Sequence, residues 1–466
     1  MLLGLLAGAA LAAQTPSAAT PWEEAGPLQP IVTADGHTDP AVRGAWRSRG
    51  YGWIVDIDED GVTRFQSGDT CYRPPQEGGP LSDMSSVHYR YFRALPGGKS
   101  AIFQLLAGDT NVVFDRLEAL PSACLSPVKA TPQVVADAFL DHFQRHYAFF
   151  DRRPPDFAAR AAKLRAKIHP DMDDGALWTA LGAFMDGLSD SHTKLIGVVE
   201  GKKRRIQDGQ GETLPRIRAG MGEGAWLTQL MAKTRAGLGD TAHQVAQDRI
   251  IWGVIDGRVG YLQVFVMGGF TDREDFASPE WAAAELGALD SALDEAFTAF
   301  DGLDAVIVDL SNNRGGWDAV AKALPGRFTE KPYIGFTTRA PRSGLAPFPH
   351  WIRTADGPRF DGPVYLMTSD VTVSGGELAT LAFRQLPQVR QVGTTTRGSF
   401  STPLPKPLPN DWLLELSNEV FAAPDSTVFE ETGIAPQEWL EIYDPADPVA
   451  SHWKAVQSVA KEAPGD

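Results

Sequence analysis

Residues 364–399 read VYLMTSDVTVSGGELATLAFRQLPQVRQVGTTTRGS. An apolar run, Val364 to Met367, stops at a turn-prone Thr-Ser-Asp. A helical pattern follows, with Leu378, Leu381, Ala382 and Leu386 on one face. A second β run, Val389 to Val392, closes on Gly393. The order strand, loop, helix, strand is the unit of a parallel sheet. Ser374 falls where the first strand hands over to the helix, where free N–H groups and the helix dipole favour an anion. Ligands of open parallel sheets bind at the carboxyl ends of strands. The stretch therefore predicts an α/β sheet and makes Ser374 a candidate nucleophile. An ordinary strand-to-helix turn has the same local sequence.

The surrounding sequence extends the same pattern. Gly260 to Val264 reads as a strand, and Trp281 to Phe300 as an acidic amphipathic helix with Leu286, Leu289, Leu293 and Phe297 in register. Ala305 to Val308 is a buried parallel-type strand ending in Asp309-Leu310-Ser311-Asn312-Asn313-Arg314-Gly315-Gly316. These segments define an α/β core over 251–445, followed by a polar tail over 446–466.

Upstream, 22–128 is rich in Gly, Tyr and Trp and alternates like a small antiparallel β domain. Thr131-Pro132 is an N-cap with proline at the first helical position, opening a helical subdomain over 129–200. His142 and His146 lie one turn apart but lack the Glu of a zinc peptidase motif, so an exposed surface pair is expected. A connecting segment, 201–250, holds Lys202-Lys203-Arg204-Arg205, expected as a solvated loop. Ser126-Pro127-Val128-Lys129 matches Ser-x-x-Lys, but no Lys-Thr-Gly or Ser-Asp-Asn companion accompanies it.

Composition narrows the classes. With 466 residues, 43% hydrophobic and 22% charged, the chain is an ordinary globular protein of two or three domains. A formal net charge of −16 argues against nucleic acid or anionic lipid as partner, since both need a basic surface. Residues 2–13 are apolar, too short to span a bilayer, and are followed by small and polar residues. Residues 1–21 thus read as a secretory signal peptide, which makes the protein exported, periplasmic or extracellular. No later segment has the length of a membrane span. Cys71 and Cys124 are the only cysteines, and in an exported chain they are expected to form a disulfide.

A serine nucleophile needs a base, an orienting group and oxyanion donors. The amide of Gly375 follows Ser374, and the Gly315-Gly316 turn can supply a second amide at a neighbouring strand end. The base is less evident. Thr372 stands where Gly-x-Ser-x-Gly needs its first glycine, and the only histidine after Ser374 is His452, in the polar tail.

Gly260-Tyr261-Leu262, Ile307 to Gly316, Ser374-Gly375-Gly376-Glu377, Val392-Gly393 and Gly433-Ile434-Ala435-Pro436 occur in a familiar order. Together they resemble the catalytic domain of the tail-specific (C-terminal processing) serine peptidases and their tricorn-core relatives. The resemblance covers roughly 130–200 and 250–440 and leaves out the N-terminal β domain. It implies an α/β fold with a ClpP/crotonase-like catalytic core, a helical subdomain and peptide or protein substrates. It calls for no cofactor and no metal.

The tail-specific branch uses a Ser/Lys dyad, but Gly398-Ser399 stands where its lysine would be, and the Arg397 guanidinium stays protonated. The tricorn-like branch takes its base from a Ser-His pair, matched by Ser191-His192. Its carboxylate lies three residues before the Gly of the terminal Gly-x-x-Pro block, matched by Glu430, with Glu431 the neighbouring alternative. The resemblance thus implies Ser374 as nucleophile, His192 as base, Glu430 as orienting carboxylate and Ser191 as polar support. The amides of Gly316 and Gly375 would form the oxyanion hole. No PDZ module is read between Lys194 and Ile250. A non-catalytic protein binding a peptide or apolar ligand on the same fold is the alternative.

Overall fold

The computed structural model describes residues 20–74, 89–153 and 156–463. The expected signal peptide falls almost wholly outside them.

At the centre is a seven-stranded sheet ordered His243–Val245, Ile250–Ile255, Val259–Val264, Ala305–Asp309, Val364–Thr368, Val389–Gly393, Glu438–Trp439. From Val259–Val264 onward its neighbours are parallel. Helices cover both faces, as a buried parallel sheet requires. Val306 and Val308 face the helices Pro279–Ala299 and Gly375–Phe383, while Ala305 and Ile307 face Glu223–Leu238 and Pro448–Glu462. This period-two alternation sends one run of apolar residues into two cores.

The expected polar tail is instead a working helix. Asp447 caps Pro448–Glu462 through the amides of Val449 and Ala450. Trp453, Val456 and Val459 then pack on the sheet, and His452 is fully buried. The helical spacing of these apolar residues is diluted by Lys454, Gln457 and Lys461, which made the segment read as polar.

The N-terminal strands form an eight-stranded antiparallel sheet running Gln29–Pro30, Tyr91–Ala94, Ser100–Gln104, Val112–Arg116, Gly44–Ser48, Trp53–Ile57, Val62–Ser67, Cys71–Tyr72. Cys71 and Cys124 are disulfide-bonded. Closing a loop with a sequence separation of 53 removes unfolded-state entropy amounting to about 4 kcal/mol. This sheet is anchored to the core: the Tyr51 hydroxyl donates to Glu419 Oε1 (2.6 Å), and Trp317 Nε1 donates to the carbonyl of Ala107 (3.2 Å).

The same docking corrects the reading of two histidines. His142 and His146 are buried rather than exposed. Tyr72 of the sheet lies 2.9 Å from His142 Nε2, and His146 Nδ1 lies 3.3 Å from the carbonyl of Gly50. Burial, reinforced by the nearby Lys406 charge, holds both rings well below the usual imidazole range. A contact made across the chain is invisible to the periodicity of one helix.

A four-stranded antiparallel sheet, Lys202–Gln207, Lys194–Val199, Leu413–Ser417, Pro403–Pro407, joins the helical region to the core. The expected basic loop is its edge strand. Edge strands tolerate a run of lysine and arginine because their outer face and open edge meet water. No helix among the described residues is long and apolar enough to cross a membrane.

Candidate active site

Ser374 caps the helix Gly375–Phe383 with φ 57° and ψ −123°. That backbone is costly for a residue with a Cβ and persists only where its surroundings hold it. Here three neighbours do so. The Ser374 amide donates to the carbonyl of Ser399 (3.1 Å), and its carbonyl accepts from the amides of Glu377 (2.8 Å) and Leu378 (3.0 Å). Glu377, fully buried, accepts from Thr396 Oγ1 (2.6 Å) and the amides of Gly398 (2.7 Å) and Ser399 (2.9 Å). It thereby fixes the loop on which Ser374 leans. Burial lifts its carboxyl to about 7 against those hydrogen bonds.

The Asn-x-Gly-Gly block forms the opposite wall. Asn313 donates from Nδ2 to the carbonyl of Val264 (2.8 Å) and accepts the Gly315 amide at Oδ1 (2.9 Å). Its own carbonyl accepts the Val373 amide (3.2 Å). A Cβ on Gly315 would lie 2.6 Å from Ser374 Cβ, and one on Gly316 would lie 2.4 Å from the carbonyl oxygen of Met267. Both positions therefore need glycine, and both have positive φ (78° and 134°). Gly375 abuts Gly316, since an added Cβ there would come within 3.1 Å of the Gly316 nitrogen. The amides of Gly316 and Gly375 find no acceptor among the described residues. Two free amides near a strained serine are donors of the kind an oxyanion needs.

His192 sits on the loop before the strand Lys194–Val199 and is 8% exposed. Asp190 shapes that loop, accepting the amides of His192 (2.9 Å) and Thr193 (3.2 Å) and the hydroxyls of Thr193 (3.0 Å) and Ser417 (3.0 Å). His192 Nδ1 is buried without a hydrogen-bond partner among the described residues, as is Ser191 Oγ. Burial pulls the imidazole down to about 4; Asp190 opposes this, and the charges of Lys194, Arg153 and Arg397 add to it. The ring is therefore neutral at ordinary pH.

Glu430 is 1% exposed. Its Oε1 pairs with Arg153 Nη2 (3.1 Å), and its Oε2 accepts the amides of Phe400 (2.9 Å) and Ser401 (3.3 Å). Arg153, also 1% exposed, lies 3.8 Å from Asp190 and donates to the carbonyls of Ser189 and Gly398. One guanidinium thus joins Glu430 to the His192 loop, and no direct hydrogen bond between Glu430 and His192 occurs. Burial, with the Asp190 charge behind it, raises the Glu430 carboxyl to about 8 in spite of Arg153. Glu431 is part-buried, has positive φ and makes no ion pair among the described residues.

The neighbours Val373 and Ser374 line two different cavities. Ser374 and Gly316 line a cavity of about 710 Å³ whose walls include Tyr51, Trp53 and Tyr89 from the N-terminal sheet and Trp281 and Trp317 from the core. Val373, Ser191 and His192 line the second, of about 450 Å³. Ser374 Oγ and His192 share no hydrogen bond, and they line different cavities. Sequence reading missed Asp190 and Arg153. Asp190 had a signal, two residues from His192; Arg153 had none, because nothing local distinguishes a buried arginine. His452 is elsewhere, bonding Asp309 Oδ2 (2.6 Å) beneath the sheet.

Residues 258–439 match the model of peptidase family S41. Among solved structures, a candidate peptidase from Parabacteroides merdae superposes with a TM-score of 0.58 at 19% identity, covering 72% of this chain and 98% of that one. Mature CPAF superposes with a TM-score of 0.52 at 10% identity, covering 71% and 97%. At such identities the likeness shows the fold alone. No curated protein sequence matches the chain.

Proposed function

We propose that this chain, whose residues 258–439 match peptidase family S41, is a serine peptidase that cleaves peptide bonds through an acyl-enzyme on Ser374. The observation that carries this reading is the free amide pair of Gly316 and Gly375 beside a serine in strained backbone. Ser374 Oγ attacks the scissile carbonyl carbon as His192 takes the hydroxyl proton. The oxyanion rests on the two amides. Collapse breaks the C–N bond, and His192 returns the proton to the leaving amine. Water, deprotonated by His192, then attacks the ester and frees Ser374.

Glu430 is the orienting carboxylate in this proposal. It acts on the His192 loop through Arg153 and Asp190, and its burial and ion pair favour it over Glu431. Ser191, which lines the cavity beside His192, is a polar support. Substrates are peptides or proteins, and an exported location is supported by the apolar N-terminus and the disulfide.

Hydrolysis of a peptide library tests the reading. Ser374→Ala is expected to abolish turnover while leaving the fold, by circular dichroism, unchanged; a variant that still turns over assigns the chemistry elsewhere. The alternative, a non-catalytic binding protein, predicts tight peptide or lipid binding with no hydrolysis by the wild type.

A further inference from the structure

The cavity beside His192 has an unusual charge. Lys194, Arg205, Arg218, Arg314 and Arg397 line it, and no carboxylate does. This occurs in a chain whose formal net charge is −16. The cations are only partly balanced from behind. Lys194 pairs with Glu415, while Arg218 (2.7 Å) and Arg314 (2.9 Å) share the single carboxylate of Glu223. Arg397 gives its donors to the carbonyls of Asp370 and Gly209, and the Asp370 carboxylate accepts the amides of Glu212 and Thr213. The Arg205 guanidinium, from the edge strand, makes no ion pair or hydrogen bond among the described residues. Burial draws the guanidiniums of Arg205, Arg314 and Arg397 below their ordinary range; the carboxylates of Glu415, Glu223 and Asp370, in that order, oppose this, and the charge of Arg218 adds to it in all three. Such a crowd is relieved by an anion.

The chemistry says which part of a substrate meets it. The acyl half remains on Ser374, whose own cavity is the large aromatic one. The leaving amine must pass His192 to receive its proton, so the residues after the scissile bond run into the cationic cavity. At about 450 Å³ it has room for more than one side chain.

We propose that this cavity is a subsite for acidic side chains, so that the enzyme selects Asp or Glu among the residues following the scissile bond, held by Arg205, Arg218, Arg314 and Arg397. The proposal rests on the assignment of Ser374 and His192. It gives the run Lys202 to Arg205 a function through its last member.

Four internally quenched peptides test it, identical except after the scissile bond: Glu, Gln or Lys there with an amidated C-terminus, and Gln with a free C-terminal carboxylate. The expected kcat/KM for the Glu peptide exceeds that for Gln by about tenfold, the worth of one hydrogen-bonded charge pair. The Lys peptide is slower still, and added salt narrows the gap. Arg205→Glu together with Arg218→Glu is expected to reverse the order of the Glu and Lys peptides. Anisotropy with the Ser374→Ala variant reads the same preference as binding, without turnover. Equal rates for Glu and Gln in an enzyme whose Ser374 reacts with a fluorophosphonate overturn the subsite and leave the nucleophile standing. A gain confined to the free C-terminal carboxylate also overturns it. No reaction at Ser374 overturns both.

Discussion

Around Ser374 the polar groups are set by backbone: three turns from one sheet edge supply glycine amides, carbonyl acceptors and a buried Glu377 brace. Around His192 they are set by charge: Asp190, Arg153 and Glu430 come from three distant segments and meet in a nearly dry interior. The Ser374 side owes its geometry to steric need, since a Cβ at Gly315 or Gly316 collides with neighbours. The His192 side owes its geometry to charge neutralisation, which pH and single substitutions can undo. The first should be the more rigid, the second the more easily disturbed.

His192→Ala should have the largest effect. Serine and base act as a unit, and the loss in kcat is expected to reach about 10⁴-fold or more. Turnover within a few-fold of wild type would remove His192 from the chemistry and break the comparison at once. Arg153→Met comes next, because it leaves Asp190 buried without its cation and Glu430 Oε1 without its donor. The expected cost is about 3–5 kcal/mol in urea unfolding. A variant as stable as the wild type would show that the network carries little charge.

Gly375→Ala sharpens the other side. Its Cβ would press on Gly316 at 3.1 Å. Displacing one oxyanion donor should lower kcat by about 10²-fold with KM little changed; an unaltered kcat would argue that these amides are not the donors.

The smallest effect is on stability against pH. Burial raises the Glu430 carboxyl from 4.5 to about 8, so the native state holds a proton that the unfolded chain releases. Its contribution is present below the unfolded value and is lost as pH rises through 8. His192, lowered from 6.5 to about 4, opposes this only below 6.5. Above that, Tm should fall by a few degrees towards about pH 9. Glu430→Gln should flatten the slope only in part, since Glu377 and Glu419, each raised to about 7, also contribute.

The same contrast explains what the sequence disclosed. The strand-loop-helix around Ser374 and the Asn313 to Gly316 turn are contiguous, and each residue's role follows from its neighbours. His192 and Glu430 were reached only through a family resemblance, because no local pattern ties residues 238 positions apart. Arg153 left no trace, since its meaning lies wholly in two carboxylates brought to it by folding. The helix Pro448–Glu462 and the burial of His142 and His146 were misread for the same reason: their partners are remote in sequence.

The most direct test is the mass of the protein after treatment with a fluorophosphonate, followed by peptide mapping. One phosphonyl adduct on Ser374 is expected, absent from Ser374→Ala and formed far more slowly in His192→Ala. An adduct on another residue, or labelling that survives Ser374→Ala, would contradict the account.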